Sequence, residues 1–303
     1  FHVNMNKRQE LEKYNLKASR YQKKKKVDII STDQNRYCLK EENNTNIYEY
    51  LRTRNFHNFP PNLTSIEDPY EITEYIDDFE VPEEQRIEDL IYLVSLLHNK
   101  TTFYKNVDID QVKKIYEEIV DRQDYLYNYY SGLQNMIESE VYMSPSHYLL
   151  IRNISILYQN IGESRKRIES WYQKVKESKK LRYAMTHGAL EREHLIENHD
   201  LYLISWGKAR INLPVYDLLN IYQNNKEKID IFDLLDIYQT KYILKEEEID
   251  LFLAMTLLPE KLEMKKTEVQ KIKQVFTITE TAYQLREKLN RMNRHESKPK
   301  HPI

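Results

Sequence analysis

Glycine is the residue this chain almost lacks. Of its 303 residues, 4 are glycine: Gly132, Gly162, Gly188 and Gly207. Average usage puts roughly 21 in a chain of this length. No two of the four are close enough to write a Gly-x-Gly-x-x-Gly dinucleotide turn or a Gly-x-x-x-x-Gly-Lys phosphate loop. Any fold that cradles a nucleotide on a glycine-rich backbone loop is therefore excluded, as are collagen-like and Gly/Ser-linker classes.

The remaining composition excludes further classes. The net charge is −2, with 46 basic and 48 acidic residues, which argues against general nucleic-acid binding. Cys38 is the single cysteine, so neither an internal disulfide framework nor a Cys-rich metal site can form. No 18-residue apolar run and no signal-peptide core are present, so a cytoplasmic protein without a transmembrane segment is expected.

Residues 1–13 read as a leader or flexible N-terminus, and Lys23 to Lys26 as a solvated turn. Val27 to Thr32 and Arg36 to Lys40 are β-prone runs around the turn residues Asp33-Gln34-Asn35, which predicts a hairpin. Asn44 to Phe56 predicts a helix with Ile47 and Leu51 on one face, and Tyr70 to Ile76 alternates as a strand. A small β-rich lobe is thus expected over 14–80. From 81 to 290 the pattern is mostly helical. Ile87, Leu90, Ile91, Val94 and Leu97 form a core-facing stripe, and Ser144-Pro145 is a helix-start signal. Two short apolar runs around Asn198-His199-Asp200 predict a hairpin inserted near 190–206. Residues 291–303 are basic and read as a disordered tail.

Several phrases fall in an order that resembles a known family. Thr186-His187-Gly188-Ala189-Leu190 is similar to a His-Gly-Asp-Leu catalytic loop. Tyr202 to Gly207 is similar to an Ile-Asp-Trp phrase, and Pro214-Val215-Tyr216-Asp217-Leu218 to the Pro-x-x-Asp-Leu that follows it. Tyr37 to Lys40 resembles a strand whose lysine pairs nucleotide phosphates. Leu96-Leu97-His98 resembles the end of the first helix after the hinge. Together they resemble the aminoglycoside phosphotransferase and choline kinase superfamily of kinase-like proteins, and in look the spore-coat-associated kinase-like proteins. The resemblance implies a two-lobed, protein-kinase-like α+β fold, with a small β-rich N-lobe and a large, mainly helical C-lobe.

It also implies where chemistry should sit, and there the chain departs from the pattern. The catalytic carboxylate position is Ala189, a metal-binding position is His194, and the magnesium-holding position is Ser205. Phosphoryl transfer relies on charge neutralisation and a positioned carboxylate, and magnesium favours carboxylate oxygens. Retained positions are architectural: His187 and Asp217 brace the loop. Lys40, with Glu49 on the next helix as its acidic partner, is the candidate nucleotide contact, although such a pair also fixes lobe geometry without nucleotide. Glu191, Glu193 and Asp200 lie at the wrong offsets to replace the lost base. His187, Glu191 and His194 suggest a metal only if they share a helix, whereas the resemblance makes this segment loop and strand. Ser146-His147 and Cys38 as hydrolase groups are chance pairings.

The expected function is a catalytically inactive, kinase-like binding, scaffold or assembly protein with no cofactor or metal, and with spore-coat association implied by the resemblance alone. Its partner is expected to be a protein or a small ligand at the interlobe cleft. The alternative is an ATP- and magnesium-dependent small-molecule phosphotransferase with relocated catalytic groups. The 25 tyrosines, several on one predicted helix at Tyr125, Tyr127, Tyr129 and Tyr130, serve either as core and rim residues or as a partner surface.

Overall fold

The computed structural model describes residues 5–24 and 27–296. In chain order the elements are α1 (Met5–Lys13), β1 (Arg20–Lys24), β2 (Val27–Ser31), β3 (Arg36–Lys40), α2 (Thr45–Thr53), β4 (Glu71–Glu74) and α3 (Glu83–Thr101). They continue with β5 (Phe103–Asn106), α4 (Ile109–Glu138), α5 (Pro145–Ser178), β6 (Lys180–Thr186), β7 (Leu195–Glu197) and β8 (Leu201–Leu203). The last are β9 (Arg210–Asn212), α6 (Val215–Asn225), α7 (Ile231–Gln239), α8 (Glu246–Thr256) and α9 (Glu268–Glu296). The chain divides into two compact units, one of Phe1–Phe103 with Arg182–Ile243, the other of Tyr104–Leu181 with Leu244–Ile303.

In the first unit, β1 to β4 form an antiparallel sheet in sequence order. The predicted hairpin is β2–β3. Its turn closes because the Thr32 amide donates to Asn35 O at 2.8 Å, and the Asn35 amide donates to Thr32 Oγ1 at 3.0 Å. Ile30, Leu39 and Ile72 are buried on one face, where period-two alternation places them. The fourth member of that cluster is Leu11 from α1. Residues 5–13 are therefore a helix packed on the sheet, where a flexible N-terminus was expected, while residues 1–4 lie outside the described residues. Leu11 is the one buried apolar side chain among the described residues of α1, whose Lys7 also pairs with Asp28 of β2 at 2.9 Å, so no apolar period announced the helix. The Lys23–Lys26 turn is described only at Lys23 and Lys24, both on the exposed edge strand β1.

The α3 stripe is buried as expected, and α3 packs against α6 and α7. β6 and β9 pair antiparallel, and β7 with β8 is the predicted inserted hairpin.

In the second unit, α5 packs against α4, α8 and α9. α5 is a single helix of 34 residues, started by Ser144, whose side chain accepts from the His147 amide, with Pro145 in the first turn. Leu126, Tyr130, Leu157, Ile161, Val275 and Ile278 belong to its core. Asp250, buried on α8, accepts from Arg167, Ser170 and Lys174 of α5 at 3.0, 2.7 and 2.8 Å. The α4 tyrosines divide by helix face. Tyr130 is fully buried, whereas Tyr125 and Tyr127 are exposed. The predicted disordered tail begins too early, since α9 runs through residue 296, and residues 297–303 lie outside the described residues. Among the described residues no helix is long and apolar enough to cross a membrane.

Candidate functional site

All of the candidate groups lie in the first unit. Lys40 closes β3 and stands opposite Glu71 of β4 in the antiparallel register. Its Nζ donates to Glu71 Oε1 at 3.0 Å. Glu71 is wholly buried and takes three further donors. The Tyr48 hydroxyl reaches Oε1 at 2.9 Å, and the Asn44 amide and its Nδ2 reach Oε2 at 3.1 and 3.0 Å. The Lys40 side chain is 19% exposed, its partner Glu71 not at all.

The acidic partner of Lys40 is thus Glu71 and not Glu49. Successive helix residues are turned by about 100°, and α2 presents Tyr48 to the sheet and Glu49 to solvent. Burial drives the Tyr48 phenol far above its usual pKa, so it is a neutral donor. Glu71 carried no local sequence signal. It is found only from the β3–β4 register, which pairs positions some thirty residues apart.

The loop after β6 is constrained at its glycine. Gly188 has φ +81, and a Cβ there would lie 2.4 Å from Lys208 O. Alanine at 188 must both occupy the left-handed region and move backbone. Gly188→Ala is expected to destabilise the fold by about 2–4 kcal/mol. At Gly207 a Cβ meets only the tip of the Glu42 side chain, so Gly207→Ala is expected within about 0.5 kcal/mol of wild type. Urea titration of the two variants checks the contrast, and equal midpoints would refute it.

Asp217, in the first turn of α6, is 1% exposed and holds this loop from behind. It accepts the His187 amide at 2.7 Å, the Gly188 amide at 2.9 Å and His98 Nε2 at 3.2 Å. Burial alone pushes its carboxyl upward, but the His98 contact and the two backbone donors hold it below the usual 3.8. His98 Nδ1 meets the Tyr238 hydroxyl at 2.6 Å, so α3, α6, α7 and the loop share one buried network. His98 completes the brace whose other members, His187 and Asp217, the phrases already suggested.

His187 donates from Nε2 to Ile204 O at 2.8 Å, and burial lowers its pKa below 6.5, so the ring is neutral. His194 Nδ1 donates to Ala189 O at 2.6 Å. The structure therefore joins two of the three altered positions: His194 is turned onto the carbonyl of Ala189. Ser205 adopts φ 70 and ψ 52, a left-handed conformation that Asp and Asn enter more readily than Ser. The Glu42 carboxylate lies against Gly207, with Oε2 2.7 Å from the position of a Cβ there. Glu191 and Glu193 are exposed. Among the described residues no three His, Cys, Asp or Glu side chains form a metal-holding group. His187, Glu191 and His194 do not share a helix, since only His194 of the three lies in the short 3-10 turn Arg192–His194.

A small antiparallel sheet region followed by a larger helical part makes this a two-lobed protein-kinase-like α+β fold. No protein-family model matches the chain, and no curated protein matches it. Among solved structures, the fold is similar to that of an aminoglycoside phosphotransferase from Alicyclobacillus acidocaldarius, at TM-score 0.70 and 12% identity, over 94% of this chain and 95% of the other. Choline kinase LicA from Streptococcus pneumoniae aligns at TM-score 0.45 and 15% identity, over 91% of this chain and 99% of its own. The likeness at TM-score 0.70 shows a fold of the aminoglycoside phosphotransferase kind. The comparisons lend no support to the spore-coat resemblance.

Proposed function

We propose that this chain is a catalytically inactive kinase-like protein with a binding or assembly role. The observation that carries the reading is a loop whose frame is kept and whose chemistry is replaced. Asp217 still gathers the His187 and Gly188 amides, yet the loop presents the Ala189 methyl, and His194 is engaged with Ala189 O. Phosphoryl transfer relies on charge neutralisation and a positioned carboxylate. The methyl of Ala189, the imidazole of His194 and the hydroxyl of Ser205 do not fit magnesium, which takes hard oxygen ligands and usually one or two carboxylates. Lys40 serves the sheet and α2 through Glu71. The protein partner or small ligand at the interlobe cleft belongs to the same proposal.

One observation favours the second reading, an ATP-dependent phosphotransferase with relocated groups: the Glu42 carboxylate lies beside Gly207, two residues after Ser205. Thermal unfolding in millimolar ATP, with and without magnesium, separates the two. A ligand at 100 times its Kd adds about 2.7 kcal/mol, which raises Tm by roughly 5 °C or more. The inactive reading expects no magnesium-dependent shift. Such a shift in the wild-type chain, lost in Glu42→Gln, would establish the relocated site instead.

A further inference from the structure

The helix α9 has two apolar faces. One is core: Val275, Ile278, Ala282, Leu285 and Leu289 are buried. The other faces outward at a seven-residue spacing, with Val269 at 64%, Phe276 at 59% and Tyr283 at 45% exposure. Residues seven apart lie within about 20° of one another around a helix, so these three make a single stripe about 21 Å long. Lys273 and Glu280 are exposed beside it. Among the described residues Lys273 makes no ion pair, and Glu280 accepts from Gln284 at 3.0 Å.

The order of these residues complements itself when reversed, apolar against apolar and basic against acidic. About a point at Phe276, Val269 falls opposite Tyr283, Phe276 opposite itself, and Lys273 opposite Glu280 to within one residue. A two-fold interface requires one surface to complement itself in this way. A parallel pairing in register instead puts Lys273 and Glu280 of one copy on the opposite flank of the seam from those of the other, so it brings no such opposite charges together. We propose that α9 is a self-association surface, on which a second copy of this chain lays its own α9 antiparallel about a two-fold axis at Phe276. One helix face buries less than the roughly 800 Å² per partner of a standard interface, so the dimer is reversible and concentration-dependent.

Sedimentation equilibrium of the full chain tests this. The mean mass is expected to rise from one chain toward two between about 10 and 500 μM. Lys273→Glu and Glu280→Lys each place like charges across the axis and are expected to weaken association roughly tenfold, while the double exchange restores it. All these positions are solvent-facing, so folding is untouched. In a Cys38→Ser background, Phe276→Cys is expected to be bridged into a covalent dimer by a short bismaleimide, whereas Tyr142→Cys, at a residue 91% exposed, stays a single chain. A single-chain mass at every concentration, or a double exchange that recovers nothing, overturns the proposal.

Discussion

Glu71→Ala is expected to lower the free energy of unfolding by about 3–5 kcal/mol. The carboxylate is buried and accepts from Lys40, Tyr48 and both nitrogens of Asn44. Its removal leaves the Tyr48 hydroxyl, 1% exposed at residue level, without an acceptor and takes the counter-charge from the Lys40 ammonium. Each stranded buried donor costs roughly 1–3 kcal/mol. Glu71→Gln keeps one carbonyl acceptor and turns N–H donors toward the other partners, so an intermediate loss is expected. Glu49→Ala, on the exposed face of α2, is expected within about 0.5 kcal/mol of wild type. Urea unfolding of the three variants decides the matter. A costlier Glu49→Ala would overturn the pairing of Lys40 with Glu71.

Asp217→Ala is the second large effect, again about 3–5 kcal/mol, because it strands the His187 and Gly188 amides and His98 together. The same group gives a signature in pH. Its carboxyl lies below the usual 3.8 in the fold, so the folded state holds the charged form more readily than the unfolded chain does. That stability is fully present above 3.8 and is lost as pH falls through the lower folded value. Asp217→Asn keeps the shape and one acceptor but cannot titrate. A stability profile recorded from pH 6 down to pH 2 should therefore fall less steeply for Asp217→Asn than for wild type. Parallel profiles would place the acid limb elsewhere.

Much of this fold is legible from local order. Asp33-Gln34-Asn35 announced the β2–β3 hairpin, Asn198-His199-Asp200 the β7–β8 hairpin, and Ser144-Pro145 the start of α5, because turn and cap chemistry is local. The α3 stripe is legible because period carries it. What failed rests on non-local contact. α1 is held through Leu11 against strands that follow it. β6 and β9 are brought together across an intervening hairpin. α9 runs on through 296 where composition suggested a tail. The choice between Glu49 and Glu71 needed the seat of α2 on the sheet and the β3–β4 register together.

The same division holds at the candidate site. The amino-acid sequence alone determined that no glycine-rich phosphate loop exists and that Ala189, His194 and Ser205 stand where carboxylates or a metal ligand were expected, since side-chain identity does not depend on folding. It also placed Gly188 at the one turn whose φ +81 demands it. The tertiary structure decided the partners: Lys40 with Glu71, His98 with Asp217, His194 with the Ala189 carbonyl, and Glu42 against Gly207. Hydrogen bonds act over about 3 Å, and only the packed chain brings residues from distant segments within that reach.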